Sequence, residues 1–106
     1  QTLFVALKES EMIGYMSCGE ILRAFNHYTH DIGLLYVAKE YQGKGIGGVL
    51  FRLAKKELSH QGVTTFIVSC NKYNLPAQHF YKKIGGKIEE GQKDRSLPQV
   101  KFQFTA

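Results

Sequence analysis

Tryptophan is absent from this 106-residue chain, and cysteine and proline occur only twice each. Cys18 and Cys70 stand far apart in no metal-like spacing, so neither a disulfide framework nor a metal site is expected. "QTLFVALKES" has no basic start and no cleavage pattern, so nothing marks a secretory leader, and a reducing cytoplasm is the expected compartment. No apolar run nears the ~20 residues that a membrane helix needs, so no membrane partner is expected. Acid is also in short supply. Lys and Arg number 14 against 9 Asp and Glu, for a net charge of +5. That balance admits a polyphosphate ligand or nucleic acid without identifying either. The basic residues are scattered apart from the doublets Lys55–Lys56 and Lys82–Lys83. No strand interleaves them with aromatics, so nucleic acid ranks last among the partners. Repeats and low-complexity segments are missing too, and the length bounds the chain to a single domain, residues 1–106, with one modest core.

What the chain does have is glycine, and four of its eleven glycines fall in "YQGKGIGGVL", residues 41–50. The elements around that stretch follow from periodicity. "LFVAL", residues 3–7, is continuously apolar, as in a strand buried on both faces. "KESE" supplies a turn and "MIGYMS" a second strand, which makes a hairpin. "ILRAF" either extends that strand or leads into the loop "NHYTH". "DIGLLYV", residues 31–37, is a third strand, with Ile32, Leu34 and Tyr36 on one face and Leu35 and Val37 on the other. After the glycines, Ile46, Val49, Leu50, Leu53, Ala54 and Leu58 form one apolar stripe at helical spacing, which Gly62 stops. "VTTFIVS", residues 63–69, is a β-branched buried strand. A second helix runs from Leu75 to Ile84, with Asn74 as N-cap, Pro76 in the first turn, Gly85 as terminator, and an apolar face of Ala77, Phe80, Tyr81 and Ile84. "KIEE" and "QVKFQFT" are two strands around the turn-like "GQKDRSLP". The order is β-β-β-α-β-α-β-β: an α/β (α+β) chain with a mixed, mostly antiparallel sheet and two helices.

Three phosphate-cradling loops compete for the glycines. A Walker loop fails because Val49 stands where its lysine belongs. Gly43, Gly45 and Gly48 meet the dinucleotide pattern GxGxxG. However, "AKEYQ" separates them from the strand, and the next strand ends in Ser69, Cys70 and Asn71 with no carboxylate. The third is Q-x-x-G-x-G, from Gln42 through Gly45 to Gly47. In "LLYVAKEYQGKGIGGVLF", followed by "SCNKYNLPAQHFYKKIGG" with its Asn74, Ala77, Phe80–Tyr81 and glycine, this resembles the two signatures of the GNAT superfamily of acyl-CoA-dependent N-acetyltransferases. Physical chemistry agrees: a helix N-terminus offers free N–H groups and about half a positive charge, and glycines let a diphosphate settle on them.

The resemblance implies an N-acetyltransferase fold and transfer of acetyl from acetyl-CoA to a primary amine, small-molecule or peptide, by direct attack in a ternary complex. It implies that Gln42, Gly43, Lys44, Gly45, Ile46, Gly47 and Gly48 hold the pyrophosphate. Leu35, Tyr36 and Val37 would line the pantetheine arm beside a bulge that splays the strand, with the Val37 N–H polarising the thioester. Tyr81 matches the family's thiol-protonating acid, although the helix's apolar face reads it equally as core. Asn74 matches a cofactor contact and is also the helix cap. The family's base stands two or four residues before "LYV", at Gly33 or Asp31, which leaves Asp31, with His27, His30 and Glu20 as alternatives. No metal is implied: His27 and His30 are spaced to opposite faces. Two departures stand out. Gly86 replaces the usual phenylalanine after the helix's glycine, and the family's first strand and first two helices have no counterpart, roughly 40–50 residues by domain size. A domain shortened at its N-terminus is therefore expected, with an apolar edge that favours a homodimer. A non-catalytic acyl-CoA-binding or sensor module is the alternative function.

Overall fold

Glu9 and Ser10, both at positive φ (51° and 73°), turn strand β1 (Thr2–Lys8) back as β2 (Glu11–Phe25). The computed structural model in which this is seen describes residues 1–89 and 99–106, without the side chains of residues 22–24 and 34. "ILRAF" thus continues the second strand. Asn26 (φ 51°) and His27 form the next turn, so β3 (Tyr28–Val37) starts three residues before Asp31. A 3-10 turn (Lys39–Tyr41) leads to helix α1 (Ile46–His60), followed by β4 (Thr65–Asn71), α2 (Leu75–Lys83), β5 (Lys87–Ile88) and β6 (Gln99–Thr105). The turn expected at residues 91–98 lies outside the described residues.

Among the described residues, six strands form one sheet in the order β1-β2-β3-β4-β6-β5. Every pairing is antiparallel except β3 with β4, which α1 connects as a crossover. The expected order and the mixed, mostly antiparallel sheet are what the chain adopts.

Both helices pack on one face of this sheet. Met16, Cys18, Ile32, Phe66, Val68, Phe102 and Phe104 rise from the strands to meet Leu50, Phe51, Ala54 and Leu58 of α1 and Tyr81 of α2. Phe66 and Phe104 stack at 5.3 Å between centroids, and Phe51 closes on Phe104 at 4.9 Å. At Gly14 a Cβ would come within 3.0 Å of the Tyr36 carbonyl and 3.4 Å of Leu50, so the missing side chain lets α1 approach β2.

Two expectations are corrected by this layering. "LFVAL" is not buried on both faces: Phe4 and Ala6 pack on the core, while Leu3 and Leu7 are 58% and 64% exposed on the face without helices. The α1 stripe is also rotated from the expected one. Val49 and Leu53 are exposed, and Phe51, absent from the expected stripe, is buried. The cause is the aromatic layer of β4 and β6, which draws the Phe51 side of the helix inward.

Helix α2 ends as its residues foretell. Asn74 Oδ1 accepts from the Ala77 N–H at 3.1 Å, capping the first turn. At the other end Gly85 takes φ 104°, Gly86 N–H donates to Tyr81 C=O, and Gly85 N–H donates to Lys82 C=O. That pair of bonds is a Schellman termination.

Candidate active site

The site begins as a fault in the sheet. Parallel pairing of β3 with β4 covers only Asp31↔Ile67 and Ile32↔Val68. Beyond that point β3 follows β2 alone. Between the pairs Cys18↔Ile32 and Met16↔Leu35, β3 carries one more residue than β2, a bulge that bends the strand. The bulge also corrects the expected alternation: Ile32 and Leu35 lie on the same, core-facing side instead of opposite ones.

Backbone direction follows from one hydrogen bond. Ala38 N–H donates to Ile13 C=O at 2.8 Å, which makes Gly14 and Val37 a non-hydrogen-bonded pair of the antiparallel ladder. The peptide groups of Val37, and by alternation those of Leu35, therefore point away from β2 toward the gap beside β4. Gln42 Nε2 donates to the Val37 carbonyl at 3.0 Å, tying the following loop to this strand. Tyr36 faces the helix-free side and stacks on Tyr15 at 5.3 Å.

At the end of the gap stands the glycine loop. Gly43 and Gly45 adopt φ 77° and 85°, a region that disfavours a Cβ, and nothing lies within 4 Å of where one would be. Gly45 is the N-cap of α1, so no side chain caps the first-turn N–H groups of Ile46, Gly47 and Gly48. A Cβ on Gly47 would sit 3.6 Å from Phe80 and 3.9 Å from Val37, so this turn of α1 lies between α2 and the end of β3. Lys44 and Lys8 both lie over the Tyr41 ring, at 5.4 and 5.2 Å, and put positive charge at the rim. Unfilled donors, open space and cations suit the diphosphate of a coenzyme A.

On the helix side, Tyr81 is 5% exposed, packed against Phe80 and Phe102. Burial, with the neighbouring Cys70 thiol adding to it, pushes its hydroxyl up to about 12, so it is a protonated phenol at neutral pH. Burial likewise raises Cys70, at the end of β4. Asn74 is exposed, with its side-chain oxygen spent on the helix cap.

The opposite face of the sheet carries Asp31, half-buried, next to the start of the gap. Burial raises its carboxyl, and the positive charges of Lys101 and His30 pull it back. At Gly33 a Cβ would stand 3.2 Å from Ser17 Oγ and 4.0 Å from Asp31 Oδ1, so the bare backbone relieves crowding against Ser17 beside the carboxylate. Across β4, Lys101 Nζ donates to Ser69 Oγ at 2.7 Å and lies 4.9 Å from the Phe25 ring. Tyr28 reaches over the same strand, donating to Glu89 Oε2 at 2.6 Å and lying 3.3 Å from Gln103 Oε1. Burial and the Glu89 hydrogen bond push the Tyr28 hydroxyl up to about 12.

The fold thus brings Leu35, Val37 and residues 42–48 to one gap, with Asp31 on the other face of the sheet, while Tyr81 lies in the aromatic core beside Phe80, Phe102 and Cys70. The remaining base alternatives lie elsewhere: His27 stacks on Tyr28 in the turn, His30 is engaged by Thr29, and Glu20 is exposed on β2. No group of three metal-ligating side chains occurs among the described residues. Sequence reasoning missed Lys101, Ser69 and Tyr28. The only signal for the lysine is its place in "QVKFQFT", out of phase with the core residues Val100, Phe102 and Phe104.

Comparison with known proteins gives a consistent result. The sequence model of the Acetyltransferase (GNAT) family matches residues 1–86. N-alpha-acetyltransferase 30 of Schizosaccharomyces pombe is 27% identical over 82 residues, which cover 77% of this chain and 55% of that protein. A solved structure from Pyrococcus horikoshii OT3 superposes with a TM-score of 0.83 at 24% identity, covering 98% of this chain and 64% of that one. PaiA N-acetyltransferase from Thermoplasma acidophilum, solved in complex with coenzyme A, superposes with a TM-score of 0.78 at 21% identity, covering 98% of this chain and 60% of that one. This chain spans a little over half the length of the curated relative.

Proposed function

Because the chain belongs to the acetyltransferase (GNAT) family, we propose that it transfers the acetyl group of acetyl-CoA to a primary amine. The observation that carries this reading is the gap between β3 and β4, lined by outward peptide groups of Leu35 and Val37 and ending at the uncapped glycine N-terminus of α1. In it the first-turn N–H groups of Ile46, Gly47 and Gly48, with Lys44, hold the pyrophosphate. Gly43 and Gly45 give the diphosphate room, and Gln42 holds the loop in register through Val37. Leu35 and Val37 pair with the pantetheine amides along the strand, Tyr36 walls the far face, and Asn74 stands at the rim by α2.

Acid and base occupy opposite faces, which suits direct attack in a ternary complex. The amine enters from the helix-free side, where Asp31 takes its proton, directly or through a water. Nitrogen bonds to the acetyl carbon while the Val37 N–H stabilises the oxyanion. The C–S bond then breaks, and Tyr81 protonates the leaving thiolate. A peptide α-amine is the proposed acceptor, supported by the likeness to an N-alpha-acetyltransferase.

The test is incubation of the chain with acetyl-CoA and peptides bearing a free or a blocked α-amine, read by mass spectrometry and thiol release. Acetylation of the free peptides alone, suppressed in Tyr81→Phe and Asp31→Asn, is expected. Tight acetyl-CoA binding without transfer to any amine would point to the sensor module instead.

A further inference from the structure

Lys101 sits in a strand whose neighbouring residues, Val100 and Phe102, belong to the core, so its own side chain rises on the helix-free face. Its register partner is Ser69, two residues beyond Ile67, which pairs with Asp31 on one side and Gln103 on the other. In an extended side chain the ammonium would stand two strands away from Asp31. Instead Nζ is drawn back over β4 to Ser69 Oγ at 2.7 Å, and the Phe25 ring, from the end of β2, closes over it at 4.9 Å. The cation is thereby placed on the strand adjacent to Asp31, in a half-buried setting where charges interact more strongly than in water.

We infer that Lys101 is a positioning residue that acts through Asp31: clamped by Ser69 and Phe25, it supplies the counter-charge that a half-buried base requires. The inference rests on the reading of Asp31 as the proton acceptor only for its effect on rate. The charge relationship stands by itself. The other groups near Asp31 do not replace it. His30, next in the chain, adds a positive pull but has its ring engaged by Thr29. On β2, Glu20 is exposed, and Cys18, on the core face, is kept protonated by burial. The facing residues of β4 are Ile67 and Ser69, which do not titrate, and the Tyr28–Glu89 pair lies across that strand. Burial lowers Lys101 itself, and the Asp31 charge raises it in return, so the two groups support each other's charged forms.

The experiment follows the Asp31 carboxyl by carbon-detected NMR titration in the full chain, in Lys101→Met and in Lys101→Arg, alongside the pH profile of kcat/KM. Asp31 is expected to titrate at higher pH in Lys101→Met and to return toward its original value in Lys101→Arg, with the acid limb of the profile moving in step. The affinity for acetyl-CoA should not change. If Lys101→Met folds poorly, Ser69→Ala releases the clamp without removing the cation and should move Asp31 in the same direction by less. An Asp31 titration unaltered in Lys101→Met, or in Ser69→Ala where Lys101→Met does not fold, overturns the inference. A shifted titration with an unmoved acid limb upholds the electrostatic link and removes Asp31 from the role of base.

Discussion

At the scale of single residues, Tyr81 joins a core position to the proposed role of acid. Its ring completes the aromatic layer against Phe102 and Phe104, and burial pushes its hydroxyl up to about 12. Phenylalanine preserves the ring and removes the hydroxyl. Tyr81→Phe is therefore expected to lower kcat by about 10²-fold, within the usual range for a lost general acid, while acetyl-CoA affinity stays nearly constant. Parallel titration calorimetry and steady-state kinetics check both halves. A second consequence concerns alkaline stability. Tyr81 and Tyr28 both ionise near 12 in the folded chain and near 10 when unfolded, so their contribution is complete below pH 10 and is lost as pH rises from 10 to about 12. Denaturant unfolding across that window should show the decline, and the double change to phenylalanine should flatten it. The places of Tyr81 on the apolar face of α2 and of Asn74 at its cap were legible from local spacing. Asp31 became a candidate by counting back from the strand's end. Lys101 was not legible, since its partners come from β2 and β4 and no local spacing marks them.

At the scale of elements, the glycines separate into those that the chain's own conformation requires and those that packing requires. Gly45 sits at φ 85° with open space on its Cβ side, so Gly45→Ala should cost about 1–2 kcal/mol in backbone strain alone. Gly45→Glu should in addition abolish acetyl-CoA binding by placing a carboxylate against the pyrophosphate. Gly86 is the opposite case. A Cβ there would lie 2.6 Å from Phe104 Cζ and 2.8 Å from the Tyr81 carbonyl. The Phe104 ring fills the space next to the helix end and leaves no room for a side chain at position 86. Gly86→Ala is expected to destabilise by about 1–3 kcal/mol, measurable by urea unfolding. Elements were legible where periodicity was strong, as in α2 and β6. They were misread where a strand met only one packed layer, as in β1, or where a bulge reversed the alternation, as in β3. A bulge is invisible to pattern reading because it is defined by the register of β3 against β2 and not by the apolar spacing of the residues that carry it.

At the scale of the whole molecule, the sheet divides the proposed reaction between its faces. Both helices, the glycine loop and Tyr81 lie on one side, and Asp31 with its charged neighbours lies on the other. Stability should follow the same division. Leu58, fully buried under α1, is expected to cost about 2–5 kcal/mol on change to alanine. Leu7, 64% exposed on the other face, should change stability by no more than about 0.5 kcal/mol on change to threonine. The central claim is that the gap between β3 and β4, with its glycine loop, is an acyl-CoA cleft. Calorimetric titration of this chain with acetyl-CoA, with NADH as control and Gly45→Glu as the blocked variant, tests it most directly. Saturable binding of acetyl-CoA, none of NADH, and loss of binding in Gly45→Glu is the predicted result. A folded chain that binds neither ligand, or that binds acetyl-CoA equally well with Gly45→Glu, would contradict it.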